Sequence, residues 1–514
     1  MSSFSKHRIK DIIFNKTVLG FTILILVATA VRLYYFPYNI PLIADALSYF
    51  SYATDIIYHG GSLPTWSPVN NGWPLFLSAI FSATSLENSL AYMEFQRGVS
   101  VFFSILTAIP LYFLCRKFFA PPFALIGVSI FLFDPRLILN SFLGITEPLF
   151  IFLACAGLLL FLQNNKKMIY LSFGIVSLAT IIRSEGLFLF FALSIMFFIR
   201  FRRETRVWLR YLPAVAIFVI ILMPIMAYRI EVSNSDGIFL RAGYAISHTS
   251  SLANTDDGFF KLLNSPLLFI KYFGWVLLPV FVFFVPYGVF EIIRKRDVNV
   301  LTMICYFITM SIPILYAYSV PALDTRYLYT LYPILCIVSL FAVNKYHQKL
   351  KSRNIFLVLV TIGIISASLT FYELKKFDVE QEREEYEIAK QIVSLANGVN
   401  SHPKESSYIR AVQTPDAWPF PFSDTPSKTT TNSTINYDSL PEFIKDSKDT
   451  LTHLVVSEDE RLPDFLRDVV LYPSKYPYLI EEYDSSKYGY DYHVLLYKID
   501  YEKFWLIESE NELP

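Results

Sequence analysis

Apolar runs recur along the chain at residues 18–36, 90–114, 121–138, 147–163, 168–182, 186–200, 207–228, 266–291, 299–319, 327–343 and 354–372. Each meets or approaches the roughly 20 residues that a helix needs to cross the apolar layer of a bilayer. The pattern predicts about eleven spans. The polar connections give those spans a sidedness. Arg116-Lys117, Lys166-Lys167, the group Arg200, Arg202, Arg203, Arg206 and Arg210, then Arg294-Lys295-Arg296, and finally Lys345, Lys349, Lys351 and Arg353 fall on alternate connections. By the positive-inside rule these five connections and the N-terminus, residues 1–17, face the cytoplasm. The first run is too long for a signal-peptide core and no small-residue cleavage site follows it, so it reads as a retained signal anchor.

The opposite side then holds the loop 37–89, the turn 134–148, the turn Arg183-Ser-Glu-Gly186, the loop 229–265, the turn 321–326 and everything after 372. Within the first loop, 45–58 and 72–84 have helical apolar spacing but are too short or too polar to span. Helices lying along the interface are expected there. After 373 the period changes. A charged amphipathic helix over 380–396 precedes strand-like runs at 408–412, 453–457, 479–482 and 492–499, with helical stretches at 439–447 and 462–470 between them. That alternation predicts a small α/β domain. The expected architecture is a polytopic α-helical membrane protein, spanning over 18–372, with a C-terminal extracytoplasmic α/β domain over 373–514.

Composition agrees with this division. Of the 514 residues 54% are hydrophobic and only 17% charged, and the mean hydropathy is +0.43. The formal net charge of zero conceals an asymmetry. Residues 375–514 carry 15 Lys and Arg against 27 Asp and Glu, a net of −12, which leaves +12 for the remainder. Four cysteines, Cys115, Cys155, Cys305 and Cys336, all lie in or at the end of apolar runs, so no disulfide framework is expected in the acidic domain. Asn432-Ser-Thr434 is a glycosylation sequon.

The candidate chemistry collects on the non-basic side. Asp45, with Tyr49 four residues on, occupies one helical face of the first loop, near enough to share a substrate. An acid at a membrane surface beside aromatics suits a polar group carried on a lipid; it also suits a helix start. Glu147 opens the fourth run in Gly144-Ile-Thr-Glu-Pro148, Arg183 and Glu185 flank the turn after the fifth, Arg97 begins the second, and Arg326 follows Asp324 before the tenth. Interfacial charges are expensive and tend to be paired or functional, so a catalytic cluster and a structural ion-pair network are both open readings.

In their order and shared sidedness, Asp45 with Tyr49, Gln96-Arg97, Thr146-Glu-Pro-Leu-Phe150, Ile182-Arg-Ser-Glu-Gly186, and Thr325-Arg-Tyr-Leu-Tyr329 before Tyr332-Pro333 resemble the GT-C membrane glycosyltransferases. This superfamily includes the protein O-mannosyltransferases and the lipid A aminoarabinose transferases. The resemblance covers roughly 18–372. It implies transfer of a sugar from a polyprenyl-phosphate monosaccharide to an acceptor hydroxyl on a protein, lipid or glycan, with Asp45 as the base. Arg183, Arg326 and Arg97 would hold the phosphate, and Glu147 would orient the acceptor or hold an arginine. Protein mannosyltransferases carry an acidic pair where this chain has Asp45-Ala46, and the Trp-Trp-Asp motif of oligosaccharyltransferases is missing from 375–514.

The seven histidines are scattered without ligand spacing, so no metal is expected. His59, on the catalytic side, is a substrate contact or a plain interfacial histidine. No Gly-rich phosphate loop occurs, which disfavours a nucleotide-sugar donor, and nothing points to nucleic acid. The expected location is a plasma or endoplasmic-reticulum membrane. A transporter or flippase of lipid-linked sugars, or a non-catalytic binding protein, is the competing class. Transporters favour repeated halves with midplane charge, and no repeat is visible here.

Overall fold

The computed structural model describes residues 2–66, 70–239, 243, 247–249, 256–294, 297–320, 323–350, 353–376, 378–401, 405–422, 427–457 and 462–511. Lys295, Arg296 and Lys351, used above, lie outside them. Every apolar run is helical. Among the described residues six helices are long and apolar enough to cross a membrane on their own: Lys16–Tyr34, Ser89–Arg116, Val207–Ser233, Val298–Ser319, Thr325–Lys349 and Ile355–Leu395. Two further runs are broken. Pro121–Phe133 and Pro135–Ser141 meet at 56°, and Lys261–Leu277 and Phe281–Ile293 meet at 116°; counting each pair as one span gives eight. Proline explains the places of both breaks. Pro135 and Pro279 lack the amide hydrogen that would continue the preceding helix. The apolar helices Glu147–Phe161 and Gly186–Arg200 are shorter than a usual span.

The residues divide into two compact units, one formed by 1–36, 62–80 and 96–376, the other by 37–61, 81–95 and 377–514. In the helical unit a buried arginine stitches three elements. Arg32, wholly buried, donates from Nη1 to the carbonyl of Leu132 at 2.9 Å and from Nη2 to Ser104 Oγ at 3.3 Å. It thereby satisfies a carbonyl at the end of the broken helix Pro121–Phe133, which would otherwise go unpaired in an apolar setting.

The second unit contains the expected α/β domain. β1 (Gly398–Asn400) pairs in parallel with β2 (Thr430–Asn432). β3 (His453–Ser457), β4 (Leu479–Asp484) and β5 (Val494–Ile499) form an antiparallel sheet with β5 central. The Asn400 amide joins the two sheets: Nδ2 donates to the carbonyl of Val455 at 2.9 Å, and Oδ1 accepts from its amide at 2.6 Å. The side chain thus imitates one strand pairing. Asn400→Ala orphans both groups at a buried position, a loss of about 3 kcal/mol at ~1–3 kcal/mol each. Faster hydrogen exchange across β3 in the full chain measures it.

One detail of the domain differs from the sequence reading. Residues 408–412 are not a strand but part of the helix Glu405–Val412. Tyr408, Ile409 and Val412 share one helical face and pack with Ile388 and Ile392, so the period is three to four rather than two. The sequon residue Asn432 lies in β2, where Nδ2 donates to Val399 O at 3.2 Å and Oδ1 accepts from Thr450 Oγ1 at 2.5 Å. Its amide holds the sheet.

Candidate active site

In the helical unit the site is built on the turn before Glu147. Gly144 has φ 73°, a left-handed conformation that glycine adopts without penalty. Four side chains from two helices converge on the carbonyls of that turn. Trp73 Nε1 and Gln96 Nε2 donate to Gly144 O at 3.1 and 2.7 Å, Arg97 Nε to Phe142 O at 3.0 Å, and Ser100 Oγ to Ile145 O at 3.3 Å. Trp73 can reach because Gly72 packs directly on the backbone of Ile181, where a Cβ would come within 2.3 Å of the carbonyl oxygen. Gly144→Ala forces an L residue into the left-handed region at a cost of about 1 kcal/mol and displaces Glu147. A lowered melting temperature is the expected result.

The turn presents Glu147 to Arg183. Both side chains are buried, 6% and 9% exposed, and Oε1 lies 2.6 Å from Nη1. Arg183 Nη2 and Nε also reach Glu185 Oε1, at 2.6 and 3.2 Å, and Nη1 donates to Thr146 Oγ1 at 3.0 Å. Thr146 Oγ1 in turn donates to Glu147 Oε2 at 3.2 Å. One guanidinium is thus clasped by two carboxylates, an arrangement that a planar fork accommodates and an ammonium does not. The ends of the helices Lys166–Ile182 and Gly186–Arg200 set its position, with Arg183 as the extended residue between them.

Three other predicted residues belong to the second unit. Asp45 is exposed in the first turn of the helix Ala44–Tyr58, where a carboxylate complements the helix dipole. Ala44, just before it, has φ 50°, an uncommon conformation for a residue with a side chain. Tyr49 shares the helix but is buried, 5% exposed, so it supports the helix more than it faces solvent. His59 is exposed at the C-terminal end, edge-on to Tyr58.

Arg326 pairs with Asp324, Nε to Oδ2 at 2.5 Å, while Asp324 Oδ1 accepts the backbone amide of Arg326 at 2.8 Å and opens a 3-10 turn, Thr325–Leu331. The helical unit therefore brings Glu147, Arg183 and Glu185 together and places Arg97 on the same turn; Arg326 forms a separate pair with Asp324.

Sequence reasoning passed over Arg229. It is buried at the end of the helix Val207–Ser233, and Nη1 donates to Asn71 Oδ1 at 2.7 Å. A lone arginine at the end of an apolar run looks like an ordinary interfacial residue, and Asn71 lies far off in sequence. Among the described residues no group of three or more His, Cys, Asp or Glu could hold a metal ion.

The profile of the DUF2079 family, described as predicted membrane proteins, matches residues 98–406. The chain belongs to this family. No curated protein matches it in sequence. Solved structures do match this DUF2079 member in fold. The aminoarabinose transferase ArnT from Cupriavidus metallidurans in its apo state superposes with a TM-score of 0.54 at 11% identity, over 94% of this chain and 98% of that one. The same protein bound to undecaprenyl phosphate gives 0.52 at 11% identity, over 94% and 97%. The archaeal oligosaccharyltransferase AglB from Archaeoglobus fulgidus, with an inhibitory peptide and a dolichol-phosphate, gives 0.56 at 12% identity, over 94% and 76%. Both are GT-C fold proteins, and at these identities the likeness is one of fold. The resemblance read from the ordered motifs holds at that level.

Proposed function

We propose that this DUF2079 protein is a membrane glycosyltransferase that takes a sugar from a polyprenyl-phosphate monosaccharide and passes it to an acceptor hydroxyl on the extracytoplasmic side. The observation that carries the reading is the run of the GT-C fold through 94% of the chain, in matches that include one structure solved with undecaprenyl phosphate and another with dolichol phosphate. The residues supply the chemistry such a transfer needs. Asp45 takes the proton of the acceptor hydroxyl, whose oxygen attacks the anomeric carbon as the bond to phosphate breaks. The bonding pair leaves with polyprenyl phosphate. Cationic groups stabilise the departing phosphate, for which Arg97, Arg183 and Arg326 are the candidates.

The geometry divides their tasks. Arg183 is already clasped by Glu147 and Glu185, so a phosphate there would compete with two carboxylates. Glu147 therefore fits the role of holding an arginine better than that of orienting the acceptor. The backbone at Ala44 supports a role for Asp45, because left-handed non-glycine residues gather where function demands the geometry. One base without a second nucleophile implies direct displacement, so the product carries the inverted anomer. Nuclear magnetic resonance of the product anomer tests this: inversion is expected, and retention would require a glycosyl-enzyme intermediate that the reading excludes. Nucleotide sugars offered in place of the lipid donor should give no transfer.

A further inference from the structure

The helix Ala44–Tyr58, which carries Asp45, is built into the C-terminal domain. Residues 37–61 and 81–95 share one compact unit with 377–514, and the helix is gripped along its length. At its entry, Ile40 is fully buried in a core made with Ile388, Ile392, Val399 and Tyr408 of the domain. At its middle, the Phe50 ring lies 5.8 Å from that of Trp418 and 6.4 Å from that of Phe420. Near its exit, Asp55, wholly buried, accepts the backbone amide of Phe422 at 2.6 Å.

The segment that makes the last two contacts, 415–422, is a strap with further anchors. The Trp418 ring stacks on that of Tyr92, centroids 3.7 Å apart and planes 16° from parallel, and lies edge-on to Phe81 at 5.6 Å. Ser89 Oγ donates to Pro415 O at 2.5 Å. Burying a carboxylate is costly, since its desolvation must be offset by the bonds it makes. An apolar contact would serve general stability at less cost. What the charged bond adds is a defined register between strap and helix.

We infer that the C-terminal domain is a positioning device for Asp45, with Asp55 and Trp418 as its positioning residues, acting through the strap 415–422. This rests on the proposed role of Asp45 as the base. The domain's task is then to fix the acid that deprotonates the acceptor. A displacement of about 1 Å at a reacting group costs up to about a hundredfold in rate, so loosening one end of the helix has a large effect on turnover.

The test compares full-length wild type with Asp55→Ala, Asp55→Asn and Trp418→Ala, each shown to be monodisperse and folded. Trp418→Phe, a smaller ring, is the fallback should the alanine variant not fold. Two readouts are taken: hydrogen exchange of amides 44–58, and kcat and KM for a polyprenyl-phosphate sugar donor. The exchange readout does not depend on the chain being a transferase. Asp55→Ala and Trp418→Ala should speed exchange in 44–58 by at least about tenfold. The same variants should lower kcat by about ten- to a hundredfold with donor KM nearly unchanged. Asp55→Asn, which keeps an oxygen to accept the Phe422 amide, should restore most of both. Unchanged exchange in both variants overturns the inference. So does faster exchange with unaltered kcat, since the strap would then fasten the helix without positioning its acid. If wild type turns over no donor, the proposed function fails, and exchange alone decides whether the strap sets the helix.

Discussion

Asp45→Asn should abolish transfer, by about 10²- to 10⁴-fold in kcat, the range expected for loss of a general base. Donor binding should persist, because Asn keeps the shape and its amide still sits at the helix start. The acid is exposed in the first turn of its helix, so the variant's unfolding free energy should fall by no more than about 1 kcal/mol, the scale of a charge at a helix N-terminus. This pairing of a large kinetic loss with near-native stability separates a base from a structural cap. Titration of labelled polyprenyl phosphate against wild type and variant, beside the rate assay, measures both. A variant that still transfers at the wild-type rate leaves Glu147 as the next acid to test.

Arg183→Met should have the largest effect on stability. It removes the guanidinium between Glu147 and Glu185 and leaves buried negative charge facing itself, which costs about 3–5 kcal/mol when one partner of a buried pair is lost. Arg183→Lys should recover little, because an ammonium cannot bond two carboxylates and the Thr146 hydroxyl in one plane. Much of the penalty belongs to the orphaned charge rather than to the lost attraction. The double variant Arg183→Met with Glu147→Gln should therefore be more stable than Arg183→Met alone, a coupling that a double-mutant cycle on thermal unfolding reads directly. Additive losses would mean that the two side chains do not act on one another.

The spans and the Glu147 cluster were legible because their signals are local. Apolar runs of fixed length mark helices wherever they occur, and Thr146-Glu147 and Arg183-Ser-Glu185 sit at span ends where an unpaired charge is costly. What pairs with what was not legible. That Arg183 bonds both acids depends on two turns 36 residues apart coming together, which spacing does not reveal. The partners of Glu147's turn were hidden for another reason. Trp73 and Gln96 act as donors to Gly144, yet an indole in an aromatic-rich loop reads first as an interfacial anchor. The breaks at 134 and 278–280 were run together as continuous spans because proline inside apolar runs is tolerated often enough not to end them. Nor did anything local tie Asp45's helix to Trp418 and Phe422. That contact joins residues more than 360 positions apart and exists only once the domain has folded.

The most direct test of the central claim is release of polyprenyl phosphate by the purified, folded protein in liposomes, with a panel of polyprenyl-phosphate hexoses and pentoses as donors. Release is expected with at least one donor, dependent on an acceptor hydroxyl and on Asp45. No release from any donor by protein shown to be folded would contradict it.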